Sequence, residues 1–389
     1  MNVMLNRELN AWDQLGDTST ASEIGQQPAV WRALTAILET RRVEVDQFLA
    51  DWLLNPTHRV IFTGAGSSCY IGEIVADHLN AMLGAEVRAI SSTSLLTHPD
   101  LYLDADRPTL LVSFGRSGNS PESIGAVALA RQCLRSARFL HITCNADGAL
   151  AADQGEDTLT LLLPPESCDQ GFAMTSSFSC MLLAALAVFD VTPWTKRFQW
   201  IEQLASQMET LIPAWAPRVN HLAIKGFSRI VYLGSGPLES LAKESALKVL
   251  ELTSGRILAL ANTSLGFRHG PKSVLNETTL VVVFRSVQAE ARRYEQDLLD
   301  ELKREQVTQY VIEIGPGVEV GAGATYFAKM PNGLPDTWLA PLWLLLAQQF
   351  ALFASAALGL TPDNPFPDGT VNRVVQGVTI YPHGAPHEH

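Results

Sequence analysis

The fold of this chain follows from one stretch, Arg59-Val60-Ile61-Phe62-Thr63-Gly64-Ala65-Gly66, which recurs 170 positions later as Arg229-Ile230-Val231-Tyr232-Leu233-Gly234-Ser235-Gly236. At the same offset, residues 109–114 (Thr-Leu-Leu-Val-Ser-Phe) match residues 279–284 (Thr-Leu-Val-Val-Val-Phe). A third pair keeps the register only as an apolar pattern, at residues 139–145 and 309–315. One offset held over three segments indicates two copies of one structural unit.

Each copy consists of short apolar runs that alternate with helical patterns, and the first run ends in a Gly-rich turn. This alternation predicts a parallel sheet covered by helices on both faces. We therefore expect an α/β protein with two tandem doubly wound, flavodoxin-like domains, at residues 51–200 and 215–382. A helical segment, residues 1–50, precedes them, with Ser22 as a candidate cap. The Pro-rich tail, residues 361–389, should be an extended arm that ends in disorder.

The overall charge limits the class of partner. With a formal net charge of −12 over 389 residues, neither nucleic acid nor an anionic membrane is an expected partner. A phosphorylated small molecule remains compatible, because backbone amides and one or two cations can hold a phosphate within a negative protein.

The cysteines point to a reducing compartment. They are odd in number and show no Cys-x-x-Cys spacing, which favours free thiols in a cytoplasmic protein: Cys69, Cys133, Cys144, Cys168 and Cys180. The first residues lack the basic and apolar regions of a signal peptide.

One apolar segment, residues 338–360, is long enough to cross a bilayer. Pro341 interrupts it early, Gln348 and Gln349 stand at its centre, and no basic flank follows. We expect a helix buried between domains or subunits rather than a membrane span.

The two copies differ after their second strand. The first has Gly115-Arg116-Ser117-Gly118-Asn119-Ser120, whereas the second has Arg285-Ser286-Val287-Gln288. The first loop lies between the carboxyl end of a strand and the amino end of a helix, which is where open α/β sheets bind ligands. Hydroxyl groups and free helix amides suit a dianionic phosphate. Ser120 also fits a simple helix cap, and the two roles are compatible.

The turn Gly64-Ala65-Gly66-Ser67-Ser68 superficially matches a dinucleotide fingerprint. Cys69 stands where the third glycine is required, and the second strand ends in Ile90-Ser91-Ser92 without an acidic residue. A nicotinamide cofactor is therefore not expected.

In the second copy, residues 240–252 read as a helix that carries Glu244, Lys248 and Glu251 at spacings of four and three. Such a row is either a solvated ion-pair ladder or part of a site. His269 lies between glycines, as an ordinary loop residue or as a proton shuttle near pH 7. The spacing alone leaves these readings open.

Together these residues resemble the sugar isomerase (SIS) domain family in its double-copy form. The loop Ser117-Gly118-Asn119-Ser120 is similar to the family's phosphate loop. Residues 246–251 (Ala-Leu-Lys-Val-Leu-Glu) and 267–271 (Phe-Arg-His-Gly-Pro) are similar to the catalytic helix and the histidine turn in the isomerase half of glucosamine-6-phosphate synthase. Residues 23–28 (Glu-Ile-Gly-Gln-Gln-Pro) are similar to another segment of that enzyme.

Residues 170–178 and 363–377 resemble the signatures of the subfamily called tagatose-6-phosphate ketose/aldose isomerase, or galactosamine-6-phosphate deaminase/isomerase. The synthase has a lysine before its last strand, where this chain has Gln376. Arg373 is our candidate for organising the sugar chemistry in its place.

The resemblance implies an amino-hexose 6-phosphate substrate, most closely galactosamine 6-phosphate, converted to tagatose 6-phosphate and ammonia with no cofactor and no metal. It implies Glu251 as the base at C2, Lys248 as an orienting cation, and His269 for ring opening from the partner subunit of a homodimer or a dimer of dimers. The implied phosphate ligands are Ser68, Ser113, Ser117, Asn119, Ser120 and Thr175. Further substrate-binding candidates are Gly66, Ser67, Arg116, Arg373 and Gln376.

Two other classes of function remain open. One is a different enzyme on the same fold, either a simple aldose–ketose isomerase or a fructosamine-6-phosphate deglycase. The other is a protein that senses sugar phosphates without converting them. A sensor needs neither a base nor a ring-opening group, so Glu251 and His269 weigh against it.

Overall fold

The computed structural model describes residues 3–5, 7–8, 12–15, 19–317, 325–329 and 333–384. The first half of the chain forms a short antiparallel pair of strands near its start, then one parallel five-stranded sheet and the helices around it. Its elements in chain order are β1 (Val3–Met4), β2 (Arg7–Glu8), α1 (Ser19–Leu49), β3 (Arg59–Thr63), α2 (Ser67–Asn80), β4 (Glu86–Ala89), α3 (Ser92–Thr97), α4 (Pro99–Tyr102), β5 (Thr109–Gly115), α5 (Pro121–Cys133), β6 (Ala137–Thr143), α6 (Ala149–Ala152), β7 (Thr158–Leu162) and α7 (Ser176–Phe189).

The second half forms another parallel five-stranded sheet. Its elements in chain order are α8 (Trp194–Ala223), β8 (Arg229–Leu233), α9 (Pro237–Leu252), β9 (Leu258–Asn262), β10 (Thr279–Phe284), α10 (Ala289–Glu305), β11 (Tyr310–Pro316), β12 (Thr325–Ala328) and α11 (Asp336–Ala357). The strand orders are β4-β3-β5-β6-β7 and β12-β11-β10-β8-β9, so the two sheets share one topology. The prediction of two tandem doubly wound parallel sheets is confirmed.

The alternation of side chains along each strand explains how the layers assemble. Phe62 on β3 and Tyr232 on β8 face inward and belong to one apolar core that both sheets share. Ile61 and Val231, their neighbours, face outward and pack into separate clusters under the outer helices. The two sheets therefore enclose a common layer of helices, which includes α1, α2, α7, α8, α9 and α11.

The apolar segment at residues 338–360 proves to be helix α11. By length and composition alone it passes as a membrane span, but 94% of its most apolar window is buried inside the protein. Each of its two central glutamines makes one hydrogen bond there: Gln348 accepts from Gln27, and Gln349 donates to the carbonyl of Ile212. The amide nitrogen of Gln348 and the amide oxygen of Gln349 are buried without a partner. The expectation of a buried helix is confirmed.

The Pro-rich segment between the copies forms α8, which holds Pro213 and Pro217 within it. At the other end of the chain, residues 361–384 form no helix or strand. The disorder expected at the very end falls on residues 385–389, which lie outside the described part of the chain.

Helix α1 begins at Ser19, three residues before the expected cap at Ser22. The cause is a distant carboxylate. Asp363 accepts hydrogen bonds from the backbone N–H groups of Ser19 and Thr20, at 2.9 and 2.7 Å. A residue more than 340 positions away therefore supplies the cap that the local sequence was expected to supply.

Helices α2 and α9 occupy equivalent positions in the two copies and pack against each other. Ser67, at the start of α2, contacts Lys248 near the end of α9. Glu73, further along α2, accepts hydrogen bonds from Ser240 and Lys243 near the start of α9. The two helices are therefore antiparallel, which brings the amino end of α2 to the carboxyl end of α9.

The turn after β8 shows why the repeated glycines are required, and a substitution there tests the explanation. A Cβ on Gly234 would lie 2.1 Å from the carbonyl oxygen of Leu238, whereas a Cβ on Gly25, in α1, would meet nothing within 4 Å. We expect Gly234→Ala to lower the free energy of unfolding by about 1–3 kcal/mol. Gly25→Ala should raise it by about 0.5–1 kcal/mol, because alanine is the better helix former. Urea denaturation of both variants measures the difference, and equal effects would contradict the packing described.

Candidate active site

A cavity of about 270 Å³ lies at the carboxyl ends of β3 and β5, where the two domains meet. Five parts of the chain form its walls: the turn before α2, the loop before α5, the segment before α7, the end of α9, and the tail. The residues that line it are Ala65, Gly66, Ser67, Ser68, Phe114, Gly115, Arg116, Ser117, Gly118, Ser120, Glu122, Ser123, Phe172, Met174, Leu247, Glu251, Val371, Asn372, Arg373, Val374 and Val375.

The loop before α5 is held in shape by its neighbours. The Ser120 hydroxyl caps α5 by accepting a hydrogen bond from the backbone N–H of Ser123, at 3.3 Å. Asn119 turns its side chain away from the cavity and accepts a hydrogen bond from the N–H of Ala149. Its own N–H donates to the Ser117 hydroxyl, at 3.2 Å. Ser117 and Ser120 thus remain on the cavity wall in a fixed loop.

Two helices begin at this cavity. Helix α2 starts after Gly66 and has no side-chain cap. The N–H groups of Ser68 and Cys69 donate to the carbonyls of Ala65 and Gly66, so this end offers a ligand chiefly the positive end of the helix dipole. Helix α5 starts at Pro121, directly after the serine loop. Two helix amino ends, with the hydroxyls of Ser67 and Ser68, create a positive and donor-rich wall suited to an anion.

Two arginines add positive charge. Arg116 is buried and donates hydrogen bonds to the carbonyls of Phe172, at 3.0 Å, and of Arg373, at 2.9 Å. Burial lowers the pKa of Arg116, and the nearby charge of Arg373 lowers it further. Arg373 reaches the cavity from the tail and donates to the carbonyl of Gln170, at 2.6 Å.

Glu251 faces these groups from the end of α9. Its side chain is 23% exposed, and one carboxylate oxygen lies 2.7 Å from the buried ammonium of Lys248. Lys248 also lies 3.2 Å from Glu244 and donates to the Ser67 hydroxyl at 3.1 Å. The lysine therefore stands behind the cavity wall, where its three donors connect α9 to α2.

Glu244 belongs to the row of charges on α9 for which the sequence left open a surface ladder or part of a site. It is fully buried beneath Lys248, and burial raises its pKa to about 7. Burial also opposes the charge on Lys248, but Glu244 and Glu251 outweigh it and leave the pKa of this lysine above its ordinary value. Only the packing of α9 against α2 makes this row buried, so spacing alone could not distinguish it from a surface ladder.

Several predicted site residues lie outside the cavity wall. Ser113 is buried in β5, and its hydroxyl has no partner. Thr175 is buried beside Asp169, which accepts hydrogen bonds from its N–H and its hydroxyl. Gln376 is exposed on the tail, and His269 is exposed in the connection after β9.

The wall also contains residues that no motif marked. Phe172 and Met174 come from the segment before α7, and residues 371–375 come from the tail. Their only signal in the sequence was the resemblance of segments 170–178 and 363–377 to the subfamily. Among the residues that the structure describes, no group of three or more His, Cys, Asp or Glu side chains is placed to hold a metal ion.

In the second copy, carboxylates of that same copy occupy the position equivalent to the cavity. The Ser286 hydroxyl and the N–H of Val287 donate to the carboxylate of Asp336, at 2.5 and 2.9 Å. The N–H of Ser286 lies 3.2 Å from the carboxylate of Glu295. Carboxylates thus take the donors of this loop, whereas the loop of the first copy opens into the cavity.

The comparisons with known proteins agree with this architecture. The SIS domain model matches residues 53–190. The D-galactosamine-6-phosphate deaminase AgaS of Shewanella sp. (strain ANA-3) is 40% identical over 387 residues, which cover 98% of this chain and 96% of that protein. The protein with the same description in Escherichia coli is 43% identical over 371 residues, which cover 94% of this chain and 96% of that protein.

Solved structures extend the agreement to three dimensions. The tagatose-6-phosphate ketose/aldose isomerase from Escherichia coli superposes with a TM-score of 0.86 at 39% identity, and the match covers 95% of this chain and 97% of that chain. A structure from Clostridium novyi NT reaches a TM-score of 0.94 at 40% identity, covering 98% of this chain and 100% of that chain. The resemblance found in the sequence is confirmed, and the chain belongs to the SIS domain family, in the group that contains the AgaS proteins.

Proposed function

We propose that this chain is a D-galactosamine-6-phosphate deaminase, which converts its substrate and water to tagatose 6-phosphate and ammonia. The observation that carries the proposal is one cavity in which a phosphate-type loop faces the carboxylate of Glu251. The AgaS relatives, which carry the name of this activity, match this chain over nearly their whole length.

The phosphate has its place at the amino ends of α2 and α5. Ser68, Ser117 and Ser120 line this end of the cavity and carry hydroxyls that can donate to phosphate oxygens. Arg116 supplies a positive charge that its backbone partners hold in position. A bidentate guanidinium is well matched to a phosphate.

The chemistry of the sugar then takes place beside Glu251. After ring opening, Glu251 removes the proton at C2, and the electrons of that C–H bond move through C1 to the aldehyde oxygen, which takes up a proton from solvent to give an enolamine. A proton delivered to C1 gives the ketimine at C2. Water adds to this C=N bond, and the C–N bond breaks with release of ammonia, which leaves the ketone of tagatose 6-phosphate.

Lys248, which is itself paired with Glu244, positions the carboxylate of Glu251 for this task. The ammonium of Lys248 fixes one carboxylate oxygen of Glu251 at 2.7 Å, which orients the side chain toward the cavity. The same ammonium holds Ser67, a wall residue of α2, at 3.1 Å. Base and wall are therefore positioned by a single buried charge.

A simple aldose–ketose isomerase is the second candidate, because the related structure from Escherichia coli bears the name tagatose-6-phosphate ketose/aldose isomerase. Release of ammonia separates the two activities. An assay that couples ammonia to glutamate dehydrogenase, run on galactosamine 6-phosphate and glucosamine 6-phosphate, should give turnover with the galactosamine compound. Interconversion of tagatose 6-phosphate with its aldose, without ammonia from either amino sugar, would favour the isomerase.

We also propose that two chains share the site. His269 lies on the surface in the connection that follows β9. Leu258 and Leu260 on β9, and Leu265 in the same connection, are 46%, 37% and 44% exposed. Exposed leucines around an edge strand are typical of a contact between subunits. In a two-fold dimer this surface would carry His269 to the cavity of the partner subunit. The five free cysteines fit a cytoplasmic location.

Removal of the phosphate donors tests the first part of the site. The double variant Ser117→Ala/Ser120→Ala should raise KM for galactosamine 6-phosphate on the order of a hundredfold, since each hydrogen bond to a charged group contributes ~1.5 kcal/mol or more. Circular dichroism should show an intact fold. Ser136→Ala, on the exposed surface, is the control. An unchanged KM in the double variant would remove this loop from the site.

Replacement of the base tests the second part. Glu251→Gln keeps the size of the side chain but cannot accept the C2 proton, so kcat should fall by about 10²–10⁴ while substrate still binds. Exchange of the C2 proton with deuterated solvent, followed by NMR, measures the step directly. Glu239→Gln, at the other end of α9, should exchange at the wild-type rate. Equally fast exchange in Glu251→Gln would place the base elsewhere.

Subunit mixing tests the shared site. The Ser117→Ala/Ser120→Ala protein, assayed at a substrate concentration far below its raised KM so that it turns over little, is combined with inactive His269→Ala protein under conditions where subunits exchange. Half of the dimers in a random equal mixture are mixed, and each carries one intact site, so roughly a quarter of the sites should recover. Demonstrated exchange with no recovered activity would mean that His269 does not act on the partner's site.

A further inference from the structure

The tail residues 361–384, here called the strap, cross the open side of the cavity. Near its start, Phe366 packs on Phe172 with ring centroids 5.3 Å apart. Its middle, residues 371–375, forms part of the cavity wall. Near its end, Ile380 packs beside Leu96, at the far edge of the first domain. The strap therefore closes the site as a wall held at both ends.

One short segment, residues 169–172, anchors the part of the strap that lines the cavity. Arg373 on the strap donates to the carbonyl of Gln170, and Arg116 donates to the carbonyls of Phe172 and of Arg373. From the opposite side, Glu23 on α1 accepts hydrogen bonds from the N–H groups of Gln170 and Gly171, at 2.5 and 3.1 Å. Glu23 thus supports, from behind, the backbone that anchors both arginines.

Two carboxylates converge on Gly171. A Cβ built there would lie 2.9 Å from an oxygen of Glu23 and 3.1 Å from an oxygen of Asp363. Asp363 belongs to the strap and docks it to the protein by capping α1. When both carboxyl groups are ionised they repel each other, and because Glu23 is buried and Asp363 half-buried this repulsion is weakly screened by water.

The surroundings of Glu23 favour its neutral form. Burial and the negative charges of Asp169 and Asp363 raise the pKa of Glu23 to about 7. The hydrogen bonds from the N–H groups of Gln170 and Gly171 lower the pKa but do not outweigh these effects. Asp169 faces Glu23 from the segment before α7, and Asp363 faces it from the strap. Arg116, Arg373 and Cys168 are the other charged or titratable groups close to residues 169–172.

We propose that Glu23 is a positioning residue of the site, which couples the docking of the strap to the protonation of a carboxyl group on α1. With Glu23 neutral, Asp363 stays on the end of α1 and the strap completes the cavity. With Glu23 ionised, repulsion weakens the hold of Asp363 and the strap detaches. Glu23 touches neither the cavity nor the reacting atoms, so it acts through the segment 169–172 and through the strap.

The sign of the pH dependence follows from linkage. Docking brings the charge of Asp363 next to Glu23, so the pKa of Glu23 is higher in the docked state than in the detached state. Docking is therefore favoured at low pH and is progressively lost as the pH rises through about 7. A single linked proton limits the effect to about tenfold in the docking equilibrium per pH unit.

The first experiment needs no substrate. Hydrogen exchange of full-length protein, read by mass spectrometry for peptides within residues 361–376 and corrected for intrinsic rates, should show protection that falls severalfold between pH 6 and pH 8. Glu23→Gln keeps the size of the side chain and its accepting oxygen, and Asp363→Asn keeps an acceptable helix cap. In both variants the protection should be independent of pH. Glu39→Gln, exposed on the same helix, should behave as wild type.

The second experiment measures the consequence for the site and rests on the proposed function. The ratio of KM in wild type to KM in Glu23→Gln, taken at each pH, cancels the ionisation of the substrate phosphate. This ratio should rise severalfold between pH 6 and pH 8, while the kcat ratio stays nearly flat. A purely structural role of Glu23 would shift KM by a constant factor at every pH.

The outcomes separate the two proposals. Absence of ammonia release would refute the proposed function and leave the exchange experiment standing. If Glu23→Gln and Asp363→Asn retain the pH response of wild type, Glu23 is not the titrating group and the inference is wrong. If only Glu23→Gln loses the response, the titration of Glu23 does not reach the strap through Asp363, and the coupling is refuted.

Discussion

The buried ammonium of Lys248 is the interaction on which the candidate site depends. It is held between Glu244 and Glu251 on α9 and reaches across to Ser67 on α2, so one charge joins the two domains at the cavity. Burying a charge is costly unless it is well paired, and removing one partner of such a group typically costs ~3–5 kcal/mol. The antiparallel packing of α2 and α9 is thus tied to the position of the base.

The two copies share one fold but contribute different groups to the candidate site. Both copies bring a strand and a helix amino end together, but only the first leaves the donors of its loop open to the cavity. In the second copy, Asp336 and Glu295 accept the corresponding hydrogen bonds from Ser286 and Val287. The second copy gives the site its helix α9 instead. Each copy therefore supplies one half of the cavity: an anion-binding loop from the first and a carboxylate from the second.

Much of the fold could be predicted, because its strands are apolar runs repeated at a constant offset and its helices start at recognisable turns. The serine loop could be proposed for the same reason, since strand ends and helix starts are local features. Glu251 could be proposed only from the resemblance of residues 246–251 to the catalytic helix of the family, because its spacing left a surface ladder equally open. The burial of Glu244 could not, because it arises only when α9 packs on α2. The cap of α1 by Asp363 could not either, since residues 343 and 344 positions apart share no local pattern. The chain's own periodicity says nothing about such contacts.

The cap of α1 also has a consequence for the order in which the protein matures. Chains are made from the amino terminus, and their domains generally fold in that order. The first residues of helix α1 are synthesised more than 340 residues before Asp363 is added. A nascent chain therefore carries α1 without this cap, and the cavity without its outer wall, while both domains are being made. The cap of α1 and the wall of the cavity then form together, once the strap has been synthesised.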